Sequence, residues 1–173
     1  LDLVPVASRP VVFIGPYEHH SNEIPWRESI ADVVVIPLSQ SGRLNTKMLQ
    51  KKLIEFADRP LKIGSFSAAS NVTGLKTDVD EVAALLHQYD ALSFWDYAAA
   101  APYVSIDMNP INSACSKDAV FLSPHKFVGG PGTPGVLIVK KQLLKNSVPA
   151  SPGGGTVLYV TPVDHKFITD HER

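Results

Sequence analysis

Cysteine is almost missing from this chain of 173 residues. The single Cys115 excludes an internal disulfide and suits a reducing compartment, so a cytoplasmic protein is expected. Cys115 lies in the polar segment Asn112-Ser113-Ala114-Cys115-Ser116-Lys117 and reads as an ordinary thiol. An excess of charge of either sign is missing too. Sixteen Lys and Arg face 17 Asp and Glu, a formal net charge of −1 with no basic patch, so neither nucleic acid nor an anionic membrane is an expected partner. The longest apolar stretches are strand-length, far short of a membrane span. No signal-peptide pattern, internal repeat or low-complexity tract is present. His19-His20, taken alone, suits a metal ligand or a structural pair. No Cys, His or carboxylate cluster at zinc-like spacing accompanies it, so no metal is expected. The chain opens on Leu1 rather than Met and stops at Asp170-His171-Glu172-Arg173 without a closing element, and so reads as part of something longer.

What is present is an alternation of short β-branched runs with helical patterns. Short β-branched runs at 11–14, 33–36, 61–66, 91–96, 119–122 and 135–139 read as six strands. Met48, Leu49, Leu53 and Phe56 fall on one face at helical spacing, and Val79, Val82, Ala83 and Leu86 do the same. Asp78 with Glu81 three residues on resembles a capping-box start. Pro25 suits the first turn of a short helix over 25–30. Strands alternating with helices imply a mostly parallel sheet covered on both faces. From about Val148 the pattern dissolves into Pro152-Gly153-Gly154-Gly155 and a polar tail. The expected organisation is one α/β domain over 1–147 and an extended exit segment over 148–173.

Ser123-Pro124-His125-Lys126 ends the strand Ala119-Val120-Phe121-Leu122 on a hydroxyl, an imidazole and a primary amine. Open α/β sheets bind ligands at the carboxyl ends of their strands, where such an amine can act as a nucleophile. By themselves these four residues suit a solvated loop lysine equally well. Three further polar segments follow other strands: Glu18-His19-His20-Ser21-Asn22, Ser67-Ala68-Ala69-Ser70-Asn71-Val72-Thr73-Gly74, and Asp96-Tyr97-Ala98-Ala99. All would collect along one edge of the sheet. The glycines at 129–135 lead into a strand rather than a helix, which fails the context of a phosphate loop and suits a tight return turn.

Taken in order, Glu-His-His-Ser-Asn-x-x-Pro-Trp, Ser-Asn-Val-Thr-Gly, Asp-Tyr-Ala and Ser-Pro-His-Lys resemble the class V aminotransferase family of pyridoxal-phosphate (PLP) enzymes, which includes the cysteine desulfurases. The resemblance runs from about Val11 to Gly155. It implies the central part of a fold-type-I large domain, truncated at both ends: a three-layer α/β/α arrangement with the run at 135–139 antiparallel. It implies PLP as cofactor, an amino acid as substrate and a homodimer. Residue by residue, Lys126 resembles the Schiff-base lysine that also carries the proton between the substrate α-carbon and the cofactor. Asp96 resembles the carboxylate paired with the pyridine nitrogen. His19 resembles the histidine stacked on the ring, and Ala98 the small residue on the opposite face. Asn71 resembles a residue near the phenolic oxygen, and Ser123 and His125 resemble groups that bind the phosphate. His20 is left without an assigned role.

The chain departs from the family pattern at three places. Ala99 stands where the desulfurases usually carry Gln, so Asn71 would make the contact to the phenolic oxygen alone. Nothing in residues 1–10 resembles the family's first strand and phosphate-binding turn. Cys115 does not match the desulfurases' catalytic cysteine in position or context. Transaminase, desulfurase and lyase therefore stay open. So does a reading of another class, in which this chain is a folded domain without cofactor, inactive by itself, serving as a scaffold or binding module. A nucleotide-binding α/β domain is a weaker alternative, because no glycine fingerprint opens a helix.

Overall fold

A computed structural model describes residues 4–168. The chain divides into two compact units at Val139/Lys140. The first carries six strands in the order β2-β1-β3-β4-β5-β6. β1 is Val11–Ile14, β2 Asp32–Val35, β3 Lys62–Ser67, β4 Leu92–Asp96, β5 Ala119–Leu122 and β6 Val136–Val139. The first five are parallel, and β6 returns antiparallel to β5. Each expected strand is present to within one residue at either end.

Three helices cover the sheet: α1 at His20–Arg27, α2 at Thr46–Glu55 and α3 at Val79–Gln88. Alternation along the buried β1 assigns the faces. Val11 and Phe13 join a core with Leu49 and Leu53 of α2 and Val82, Ala83 and Leu86 of α3. Val12 and Ile14 point the other way, packing with Ile63 against Trp26 of α1. A central strand apolar on both faces is what two covering layers require. The ends of α2 and α3 are set locally. Asn45 Oδ1 accepts from Met48 N–H at 3.0 Å, and Asp78 Oδ1 accepts from Glu81 N–H at 3.0 Å. Asp90 follows α3 with φ 54°, a left-handed turn residue that lets Ala91 N–H reach Leu86 O at 3.0 Å.

The expected helix over 25–30 is displaced. α1 begins at His20 and ends at Arg27, with Pro25 inside it rather than in its first turn. The reason is that His19 acts as the cap, its Nδ1 accepting from Ser21 N–H at 3.2 Å, so the helix opens before proline enters it. The second unit also differs from an extended exit segment. Strands β7, Val157–Val160, and β8, His165–Phe167, form an antiparallel hairpin. Thr161 closes its turn, with Oγ1 accepting from Asp164 N–H at 2.9 Å.

Gly64 sets how closely α3 rests on β3. A Cβ there would lie 2.6 Å from both methyl groups of the fully buried Leu86 and 2.8 Å from the Phe66 ring. Gly64→Ala should therefore overpack the core by about 1–3 kcal/mol. Leu86→Ala should cost about 2–5 kcal/mol through its cavity. Since the two changes are complementary in volume, urea unfolding should show the double variant less destabilised than the sum of the single variants.

Candidate active site

Parallel register brings the chemistry to one edge. Ser67 at the end of β3 pairs with Asp96 at the end of β4, and Asp96 pairs with Phe121 in β5. Beyond these positions the strands part, and a cavity of about 630 Å³ opens. His19, Asp96, Ala98, Ser123, His125 and Lys126 all line it, with Asn22, Trp26 and Phe121 among the remaining walls. Six of the seven residues singled out in the sequence are thus brought together. Asn71 is not among the lining residues. It sits exposed at the tip of a loop closed by the Ala69–Lys76 bridge, held by Ser70 N–H donating to Leu75 O at 2.9 Å.

Each side chain is delivered by a specific backbone device. Asp96 Oδ1 accepts from Ala98 N–H at 2.7 Å, which fixes the carboxylate and sets Ala98 beside it. Tyr97 N–H continues onto Phe121 O at 2.9 Å, so the chain stays tied to β5 as it leaves the sheet. Lys126 closes a single 3₁₀ turn, Pro124–Lys126, its N–H donating to Ser123 O at 3.0 Å. Gly130 folds back onto that turn; a Cβ on it would overlap the Pro124 carbonyl. Because that neighbour is backbone, only glycine fits without moving the lysine turn. His19 is oriented by its role as cap. Since Nδ1 accepts a hydrogen bond from Ser21 N–H, the proton of the neutral ring lies on Nε2.

One residue of this site has no assigned role from sequence. Glu18 is tucked between the ends of β1 and β3. Its Oε1 accepts from Gly15 N–H at 3.1 Å and Ser67 N–H at 3.0 Å. Its Oε2 accepts from Asn22 Nδ2 at 2.8 Å and Ser67 Oγ at 2.7 Å. Asn22 Oδ1 in turn accepts from Ser65 Oγ at 2.6 Å. Ser65 and Ser67, two serines in the buried β3, were the available signal, since buried hydroxyls need partners. Burial raises the Glu18 carboxyl above the ordinary carboxylate range. Hydrogen bonds from Ser67 and Asn22 oppose that shift without cancelling it, and the Asp96 charge adds slightly to it.

A smaller cavity of about 360 Å³ shares none of the six residues, and its walls include Asp80, Tyr97 and Lys117. Its buried lysine is already satisfied, with Lys117 Nζ donating to Asp80 Oδ1 at 3.0 Å. Burial first, and Asp80 second, push the Tyr97 hydroxyl up to about 12, so it stays neutral.

A family model for class V aminotransferases matches residues 6–172. The chain belongs to that family. It is 32% identical over 153 residues to a probable cysteine desulfurase of Halalkalibacterium halodurans, covering 86% of this chain and 36% of the relative. It is 33% identical over 148 residues to a cysteine desulfurase of Synechococcus elongatus, covering 83% of this chain and 22% of that protein. Among solved structures, the crystal structure of an Escherichia coli cysteine desulfurase in its S-sulfonic acid form superposes with TM-score 0.78 at 25% identity, over 94% of this chain and 39% of the other. The apo cysteine desulfurase of Thermococcus onnurineus shares the fold, with TM-score 0.74 at 24% identity over 93% and 39%. This chain spans between about a fifth and two fifths of the length of these relatives. Its mostly parallel, helix-covered sheet is the fold-type-I architecture of that family. Among the described residues, no helix is long and apolar enough to cross a membrane.

The raised Glu18 carboxyl has a consequence for stability. A carboxyl raised on folding favours the folded state when protonated. That contribution is fully present below about pH 4.3, the ordinary glutamate value, and is lost as pH rises through the raised value. The stability of the native chain relative to Glu18→Gln should therefore be greatest in acid and shrink as pH rises, measured by urea unfolding across pH 4 to 8. A difference that grows with pH would contradict this.

Proposed function

We propose that this chain forms the central part of the cofactor-binding large domain, over 1–147, of a PLP-dependent enzyme acting on an amino acid, with 148–173 leading on from it. The observation that carries the reading is the donor set of one cavity: an amine, a carboxylate, two imidazoles and a hydroxyl, from Lys126, Asp96, His19, His125 and Ser123. A volume of about 630 Å³ is of the size that holds small-molecule cofactors. The chemistry fits PLP group by group. A primary amine suits an aldehyde, a carboxylate suits a pyridinium, and a hydroxyl with an imidazole suits a phosphate. The names of the two relatives, a probable cysteine desulfurase and a cysteine desulfurase, are consistent with this, whether the enzyme is of that type or an aminotransferase.

When bound, PLP supplies an electron-withdrawing ring that accepts the electrons left on the α-carbon of an amino acid. The protein's residues do the rest. Lys126 supplies the Nζ amine for covalent attachment, and the same amine carries a proton at the reacting carbon once released. Asp96, whose Oδ1 accepts from Ala98 N–H, would pair with the ring nitrogen and favour its protonated form. His19 would cover one face of the ring, while Ala98 would leave room on the other, and Ser123 and His125 would hold the phosphate. Asn71, exposed on its loop, would meet the phenolic oxygen only if that loop folds inward.

The protein is proposed to work as a cytoplasmic homodimer. Exposed Val72 and Val128 follow β3 and β5 at the edge where the cavity opens, giving apolar surface that a second subunit would cover. The single cysteine fits a reducing compartment.

Borohydride reduction of the full-length protein with PLP should fix the cofactor to the peptide containing Lys126, and Lys126→Ala should abolish the label. Attachment at Lys140 or Lys141 would refute the assignment. Asp96→Ala should keep the label on Lys126 but lower turnover by about 10²–10³, because the electrostatic partner is lost while the attachment point remains. Unchanged turnover would make Asp96 structural.

A further inference from the structure

Glu18 is a poor residue for its place if stability alone is considered. It is buried between two strand ends with no cation paired to it among the described residues, and desolvation outweighs its hydrogen bonds. Such a carboxylate belongs where geometry matters more than stability. Its four hydrogen bonds reach three separate elements. Gly15 N–H ends β1, Ser67 N–H and Oγ end β3, and Asn22 Nδ2 lies in the first turn of α1. His19 lies between Glu18 and Asn22 in the chain, so both sides of its short connection are fixed to the sheet. Asn22, 7% exposed, is fixed a second time by Ser65 Oγ. Tyr17, on the other side of Glu18, is tied through its hydroxyl to Thr77 Oγ1 at 3.0 Å, and Thr77 donates to Ser67 O at 2.8 Å. The space for the carboxylate is built in as well. A Cβ on Gly15 would overlap Glu18 Oε1.

We infer that Glu18 is the positioning residue of this site, a carboxylate clamp between β1, β3 and α1 that holds the His19 ring at the cavity wall, where it meets the cofactor. The inference rests on the PLP reading and deepens it. Glu18 is not among the residues lining the cavity, so it acts through His19 and is not itself catalytic.

The clamp predicts an uneven response to substitution. In Glu18→Gln the amide oxygen can serve Gly15 N–H and Ser67 N–H. The new NH₂ can donate to Ser67 Oγ and to the Asn22 oxygen once that amide turns over, with the Ser65 hydroxyl reversing its bond. Four bonds survive. Glu18→Ala leaves two backbone N–H groups, the Ser67 hydroxyl and Asn22 without their acceptor.

The test is made on the full-length protein with PLP, reading cofactor affinity and the visible circular dichroism of the bound cofactor. His19→Ala and Glu18→Ala should each weaken PLP by about tenfold and change the dichroism in the same way, with Lys126 still labelled by borohydride. The double variant should be no weaker than His19→Ala alone to within about twofold, since both remove the same contact. Glu18→Gln should keep the wild-type dichroism. Should Glu18→Ala fail to fold, Gly15→Ala displaces the carboxylate while leaving it present, and should reproduce the altered dichroism. Losses that multiply to about a hundredfold in the double variant, or wild-type dichroism in folded Glu18→Ala or Gly15→Ala, would overturn the inference. A wild-type protein that takes no label at Lys126 would instead sink the PLP reading, and this inference with it.

Discussion

Parallel alignment of β1, β3, β4 and β5 is the constraint on which the rest of the site depends. Four neighbouring strands that run the same way must end along the same edge, and in register their last residues stand side by side. Ser67, Asp96 and Phe121 form such a row. Where the ladder stops, backbone groups need other partners, and the connecting segments supply them. Ala68 N–H reaches Asp96 O at 2.9 Å and Tyr97 N–H reaches Phe121 O at 2.9 Å. The polar side chains of these connections therefore start from rigid positions rather than from mobile loops, which is what a site needs to hold a small molecule in one orientation.

Two close approaches sharpen that placement. Gly130 lets the chain after Lys126 fold back onto the Pro124 carbonyl, which holds the 3₁₀ turn carrying the amine. Gly15 leaves the space that the Glu18 carboxylate occupies. On one side of the cavity the backbone fixes the lysine; on the other a buried polar network fixes the histidine. Asp96 stands between them, its orientation set by the N–H of Ala98, two residues on. The charged groups of the cavity are thus placed by short-range bonds, while the apolar layers behind them, Leu49, Leu53, Val82 and Leu86 on one face and Trp26 on the other, hold the sheet that carries them.

Glu18 shows how such a site departs from the rule that buried charge is paired. Its desolvation is not offset in full by four donors, and the nearby Asp96 adds to the cost. The same four donors give the connection between β1 and α1 a single geometry. Stability is given up where position is gained, as is common where a scaffold meets its chemistry.

The sequence by itself determined every strand of the sheet and the helices α2 and α3, because those rest on local pattern: short β-branched runs for the strands and 3.6 spacing for the helices, with the start of α3 marked by its cap at Asp78. It also named six residues that meet in one cavity, since ordered motifs after successive parallel strands must share an edge. Four matters needed tertiary structure. Pro25 was legible as a helix starter, but its place inside α1 follows from the His19 cap six residues before the expected start at 25–30. The β7–β8 hairpin rests on pairing between two short runs whose signal is obscured by glycine and proline. Asn71, expected near the site by its motif, stands exposed because a bridge between Ala69 and Lys76 closes its loop. The role of Glu18 was the least legible of all. Its bonds to Ser67 join residues 49 apart in the chain, and no periodicity records a hydrogen bond formed across strands. Patterns along a chain fix which groups are buried and which way a strand runs; which donors a buried carboxylate finds is decided only when the sheet has formed.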